Sequence, residues 1–402
     1  MIDSIVRLLQ IDPWPPQPGL LFWLALTLVG AALLGGAVHR LLGLPRVLGY
    51  GAVGMGFASL GFGSTDAVLS GTDRLVIDLA MGLLMFELGS RVSLRWLRVN
   101  NALLVASAAE SLLGFGAAFA VLRHAGLDFD VALAGTPVLG ASAGALIGRV
   151  AAETRANGQV TERMIVLGAL NTLYAVLLSR LMIGGLYVGR QDDWAQGIVL
   201  PLYAFGGAAA LAVLLSLLVG WVLRRFDLRD ENSVLLLLGL LLLTITLARA
   251  LNLSTLLVPL LAGVCLRNLS ERPCIWPRHF GTAGAAPVLM LFVLIGASWS
   301  SAALHAAGWT AALVLLGRLV AKGVALLGLA HLSGIDARQG VALTLTQTPV
   351  AATTLVLLAD LQTTHPQVAA QLAPIALAAL AMMALLGPVL VHLGLRLAKE
   401  LK

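Results

Sequence analysis

Charge is what this sequence has least of. Only 11% of its 402 residues are Asp, Glu, Lys or Arg, against about a quarter in ordinary soluble domains. With 59% hydrophobic residues and a mean hydropathy of +0.93, a soluble fold of this size has no way to hide its apolar surface. Cysteine is almost as rare. Cys265 and Cys274 are the two present; they match no zinc or redox spacing and read as ordinary thiols, not a disulfide framework. His39, His331 and the other histidines have no metal-ligand spacing. No GxxxxGK[ST] stretch occurs, so a P-loop motor is unsupported. Neither a His/Asp nor a Ser/His/Asp cluster appears, which disfavours an integral membrane enzyme and calls for no cofactor. Strand alternation is absent as well, which argues against a β-barrel.

What fills the chain instead is apolar runs of about 20 residues, the length that spans a bilayer as a helix. They fall near 20–42, 44–62, 75–91, 101–122, 131–151, 162–186, 197–223, 233–250, 252–267, 284–299, 309–331, 339–359 and 370–396. The fold class is therefore an all-α polytopic membrane protein of about 13 transmembrane helices. The net charge of +6 sits in short loops between the runs, so it is a topology signal and does not point to a nucleic acid partner. Loops on one side carry 18 of the 26 cations and those on the other side five. That bias places the C-terminus in the cytoplasm and the N-terminus outside. Residues 1–19, with IDPWPPQPG, lack a basic start and are read as an extracytoplasmic segment, not a cleavable signal peptide. Residues 20–396 form the transmembrane domain and 397–402 a cytoplasmic tail. So short a tail carries the expectation of no appended nucleotide-binding domain and no nucleotide partner.

An internal repeat is visible. LLMFELGSRVS at 83–93 is similar to LMLFVLIGASWS at 289–300, and LGLPRVLGYGAVGMG at 42–56 to LNLSTLLVPLLAGVC at 251–265. The copies are offset by an odd number of runs, seven, which makes the repeats inverted: repeat one about 44–186, linking helices about 197–250, repeat two about 252–396. Inverted repeats mark secondary transporters, whose sites lie where the repeats meet near the midplane. The repeat pairs GTPVLGASAGALIG, holding Pro137, Ser142 and Gly144, with TLTQTPVAATT, holding Gln347, Thr348 and Pro349. Proline removes a backbone donor and glycine tolerates broken geometry, so both helices are expected to be interrupted. Kinked packing helices are the blander account.

Ionisable residues at membrane depth stand out against this background. Lys322 is the only lysine outside the last four residues, and Arg318 lies four before it on the same helix face. Each costs about 2.5–3.5 kcal/mol at a helix centre. The pair therefore needs a counter-charge, a water-lined cavity, or carbonyls to clamp. Glu110 sits midway along its run and matches Arg318 at the repeat offset, so the two are expected to meet across the repeat axis. Asn171 and Thr172 lie about 13 Å down their helix. Glu87 and Arg91 are spaced i, i+4 and read as a helix-end ion pair. Asp78 and Asp360 are expected to be solvated near the outer surface, with Arg180 snorkelling to it.

With these residues in place the chain resembles the monovalent cation:proton antiporters, especially the Kef-type and bacterial sodium/proton branches, over nearly all of 20–396. RLLGLPRVLGYGAVGMGF at 40–57 is similar to the family's opening span. LAMGLLMFELGSRVSLRWLR at 79–98 resembles its "lifeGle" stretch running into a basic loop. The resemblance implies a dimerisation domain and a core domain with two crossed, broken helices, homodimers in a bacterial inner membrane, alternating access, and a monovalent cation and protons as partners. It also implies an acidic residue in the sixth run opposed by a basic one in the eleventh, where Lys322 matches, with Arg318 next. The chain departs from the pattern at the acidic position. LNTLYAV keeps Asn171, but Thr172 stands where the family has an aspartate, and threonine does not exchange a proton near neutral pH. Ser142 and Ala143 replace the Thr-Asp of many sodium-selective members. Without that aspartate Lys322 has no evident anion nearby. Three readings follow: a neutralisable Lys322 carries the proton, Glu110 supplies the missing carboxylate, or cation exchange has been lost. An organic-anion carrier of the same fold, using Arg318 and Lys322, and a non-transporting membrane component are the alternatives.

Overall fold

The computed structural model describes residues 20–60, 73–191, 194–225, 231–269 and 285–401. The N-terminal segment 1–19 and Cys274 lie outside the described residues. Among the described residues there are helices and no strands. In chain order they are α1 (Leu20–Leu42), α2 (Arg46–Ser59), α3 (Asp73–Ser90), α4 (Leu94–Val99), α5 (Asn101–His124), α6 (Phe129–Gly140), α7 (Gly144–Glu153) and α8 (Gln159–Gln191). There follow α9 (Trp194–Arg225), α10 (Glu231–Ala250), α11 (Leu257–Leu269), α12 (Ala285–Ala297), α13 (Ser301–Gly328), α14 (Ala337–Gln347), α15 (Ala352–Thr364) and α16 (Pro366–Ala398).

Every apolar run of the sequence carries a helix or an interrupted pair. Among the described residues, seven spans are long and apolar enough to cross a membrane, or eight if the bent pair α14 and α15 is counted as one. Their exteriors are apolar in the way a hydrocarbon solvent demands: Leu112, Leu33 and Leu202 are all at least 70% exposed. The interior is closed by small residues. A side-chain carbon on Gly54 of α2 would fall 2.0 Å from Val293 O of α12, and one on Gly263 of α11 would fall 2.3 Å from Phe86 O of α3. Only glycine lets these backbones touch, which is how apolar helices gain contact where lipid competes for the same surfaces.

Two interruptions lie at the heart of the bundle. The first, residues 141–143, separates α6 from α7 behind Pro137; the second, residues 348–351, separates α14 from α15 at Pro349, with a bend of 41°. Proline cannot donate the next helical hydrogen bond and its ring crowds the preceding turn. The two breaks pair with each other, because Ala143 N donates to Pro349 O at 2.9 Å, and Thr354 Oγ1 reaches back to Val138 O at 2.6 Å. The two interruptions expected from the sequence are thus present, and they lie against each other as the resemblance implied for the crossed, broken helices.

α8 packs on α6, α7 and α14, and α13 packs on α14 and α16, with α5 along it. The start of α8 is tied down from the far end of the chain. The Glu400 carboxylate accepts from Val160 N at 2.8 Å, Thr161 N at 2.7 Å and Thr161 Oγ1 at 2.7 Å. A carboxylate there satisfies orphan amides and complements the positive end of the helix dipole.

Candidate functional site

Six residues singled out in the sequence, Glu110, Ser142, Asn171, Arg318, Lys322 and Gln347, meet at the crossing, each fully buried; Thr172, also fully buried, and Thr348, 2% exposed, adjoin them. Glu110 comes from the middle of α5, Asn171 and Thr172 from α8, Arg318 and Lys322 from α13, Ser142 from the first break, and Gln347 and Thr348 from the edge of the second.

The expectation that Lys322 lacks an anion is corrected. Lys322 Nζ donates to Glu110 Oε1 and, at 2.5 Å, to Ser142 Oγ. Glu110 therefore does not meet Arg318 as expected but the residue one turn further along α13. A closed ring of hydrogen bonds follows. Ser142 N donates to Asn171 Oδ1 at 2.6 Å, Asn171 Nδ2 to Ser111 Oγ at 2.9 Å, and Ser111 Oγ back to Glu110 Oε2 at 3.3 Å. Ser142 Oγ also donates to Gln347 O at 2.9 Å. Ser111 was not a sequence candidate. Its neighbour Glu110 lies about 100° round the helix, so spacing gave no reason to group them; a second polar residue beside a buried charge was the available signal.

Arg318 has a different task. Its Nη1 donates to Thr348 O at 3.0 Å and its Nη2 to Gly140 O at 3.2 Å and Ala141 O at 3.0 Å. These carbonyls are the C-terminal ends of α6 and α14, where four carbonyls per helix lack partners and the dipoles leave partial negative charge. One planar guanidinium spans both ends, which a lysine ammonium does not do. This is the carbonyl-clamping role weighed in the sequence.

Thr172 does not join the ring. Its hydroxyl donates to Gly168 O, one turn back, at 2.8 Å, and Thr348 Oγ1 does the same to Thr344 O at 2.7 Å. Gln347 Nε2 donates to Met164 O at 2.8 Å.

Away from the crossing, Arg91 Nη2 bonds Glu87 Oε1 at 2.7 Å, the i, i+4 pair expected. The solvated reading of Asp78 is overturned: it is 1% exposed, 3.1 Å from Arg249 Nε, and accepts from Thr255 Oγ1 at 3.2 Å. Asp360 is not free in solvent either, and Arg180 does not merely snorkel; they pair at 3.1 Å. Burial of a carboxylate without a partner is costly, so each found an arginine from another helix, a match that spacing alone does not reveal. Arg180, Arg249 and Asp360 line a cavity of about 570 Å³ together with Tyr203, Asn252 and Thr255. No group of three His, Cys, Asp or Glu side chains that could hold a metal ion occurs among the described residues.

Comparison with known proteins bears on the fold and the family. Among solved structures, the chain is similar to the sodium proton antiporter MjNhaP1 from Methanocaldococcus jannaschii at pH 8, with a TM-score of 0.73 and 17% identity over 94% of this chain and 97% of that one. The likeness shows a shared fold. Comparison with the curated proteins finds no match. The sequence profile of the transmembrane sodium/hydrogen exchangers matches residues 28–393, which is nearly the whole helical bundle. The chain belongs to the sodium/hydrogen exchanger family.

Proposed function

We propose that this protein is a secondary active transporter that exchanges a monovalent cation, sodium or potassium, for protons by alternating access. The observation that carries the reading is the buried Glu110–Lys322 pair at the crossing of two broken helices. Among the described residues Glu110 is the only carboxylate placed in that ring. Its charge is balanced either by a protonated Lys322 or by a cation arriving at the crossing as Lys322 gives up its proton. An unbalanced charge is expensive in so dry an interior, so the two states alternate and the exchange runs one for one. Glu110 thereby takes over the part that an aspartate at 172 has in the family pattern, and Thr172 is free to hydrogen-bond its own helix.

The domain organisation follows the sequence reading: repeats about 44–186 and 252–396 related by inversion, linked through about 197–250, in a homodimer. Reciprocal packing supports the inversion, since α2 lies on α12 as α3 lies on α11. The C-terminus is cytoplasmic, in a bacterial inner membrane. With that topology the cavity beside Arg180 and Arg249, lined by residues of α8, α9, α10 and α15, lies on the outer side and serves as a vestibule. An organic-anion carrier is disfavoured, because Arg318 is committed to carbonyls and Lys322 to Glu110.

The test is proton flux in proteoliposomes holding purified protein and an internal pH dye, with sodium, potassium and lithium added in turn. A cation-triggered pH change is expected. Silence toward every cation from folded protein refutes exchange and favours a non-transporting relative.

A further inference from the structure

Among the described residues at the crossing, two fully buried polar atoms have no hydrogen-bond partner, the donor Arg318 Nε and the acceptor Gln347 Oε1, and the acceptor lies next to the ring. The orientation of the Gln347 amide is fixed, since Gln347 Nε2 donates to Met164 O at 2.8 Å and a reversed amide would set oxygen against oxygen. The amide therefore lies along α8, on the strip that continues from Met164 to Gly168 and Thr172. That strip is bare. A side-chain carbon on Gly168 would be 4.0 Å from Gln347 Oε1 and 3.2 Å from Gly144 Cα, and one on Gly144 would be 3.0 Å from both Gly168 O and Thr172 Oγ1. Three neutral oxygens, Gln347 Oε1, Thr172 Oγ1 and Gly168 O, thus gather around the contact of two glycines. The main chain of Gln347 ties this group to the charged pair, for Gln347 O accepts from Ser142 Oγ, which accepts from Lys322.

A buried amide oxygen without a donor carries its full desolvation penalty, and a cation relieves it where no donor is at hand. We propose that Gln347 is a specificity-determining ligand of the transported cation, which is held at this strip by neutral oxygens alone and is for that reason potassium ahead of sodium and lithium. The inference rests on the exchange reading above and says which cation that exchange carries. Neutral oxygens offer a weaker field than a carboxylate, so the ion that sheds its water most readily gains most from them. These oxygens are its ligands; the negative charge that balances it is that of Glu110, which acts through space and is joined to Gln347 O by way of Lys322 and Ser142.

The experiment compares wild type, Gln347→Met and Gln347→Glu in the pH-dye proteoliposomes, titrated with potassium, sodium and lithium chloride. Thermal stabilisation of the detergent-solubilised proteins by the same salts is measured in parallel. Wild type is expected to prefer potassium. In Gln347→Met the half-saturating potassium concentration should rise about tenfold, the effect of one lost ligand, with the ratio between the cations flattened. In Gln347→Glu the preference should move toward lithium and sodium. A role in packing alone would alter maximal rate or stability and leave the cation ratios of both variants at the wild-type value, which overturns the inference. If wild type gives no pH response to any cation, the exchange reading fails, and stabilisation decides the fate of Gln347. Potassium-specific stabilisation lost in Gln347→Met supports it; equal stabilisation of both, or none of wild type, overturns it.

Discussion

Replacing Glu110 by Gln strikes at the pairing on which the site depends. The substitution keeps size and shape and removes one charge. In the folded protein Lys322 then keeps only neutral acceptors, the amide oxygen at 110 and Ser142 Oγ, with no counter-charge in a position where both Lys322 and Glu110 are fully buried. Breaking a buried pair by removing one member costs about 3–5 kcal/mol, because it strands the other charge. Removing both members together costs far less and can stabilise by about 1–4 kcal/mol. Combining Glu110→Gln with Lys322→Met should therefore recover most of the stability lost in the worse single variant, with a coupling energy of about 2–3 kcal/mol, the upper range for contacting residues. Equilibrium unfolding of the four proteins in mixed micelles measures it. Additive losses, with the double variant no more stable than the sum of the singles, would refute a charge pair that balances itself. The same variants report on transport: Glu110→Gln should lose cation-triggered proton movement, and a variant with intact coupling would remove Glu110 from the mechanism.

Lys322→Ala and Lys322→Arg should both abolish proton coupling in the pH-dye assay, since alanine carries no proton and arginine does not release one near neutral pH; full coupling in both would exclude the lysine. Arg318→Met leaves the carbonyls of Gly140, Ala141 and Thr348 without this donor and should cost about 3–5 kcal/mol, with Arg318→Lys recovering only part of it; unfolding in mixed micelles checks both. Glu400→Ala should lower stability by about 1–2 kcal/mol through loss of a helix cap. Hydrogen exchange should accelerate at the amides of Val160 and Thr161; unchanged protection there would show that the cap is idle.

Composition by itself determined that this chain is a bundle of apolar helices, because no soluble packing hides so much hydrocarbon surface. Patterning also located the two interruptions, since Pro137, Gly144 and Pro349 are residues that helices do not carry without consequence. Lys322, Glu110 and Arg318 were conspicuous for the same kind of reason: ionised groups at membrane depth are too costly to be accidental. Who meets whom was another matter. Glu110 and Lys322 are 212 residues apart, and the repeat offset pointed to Arg318, one helical turn short of the true partner. Only the packing of α5 against α13 set that register, and it turned Lys322 from an isolated cation into half of a pair and Arg318 into a clamp on two helix ends. Asp78 and Asp360 show the same limit, since a position near a helix end looks solvated until the arginine of another helix is placed over it. Sequence fixes each residue's chemistry and its depth along a helix; side-chain pairing depends on the rotation and sliding of neighbouring helices, which the tertiary packing alone decides.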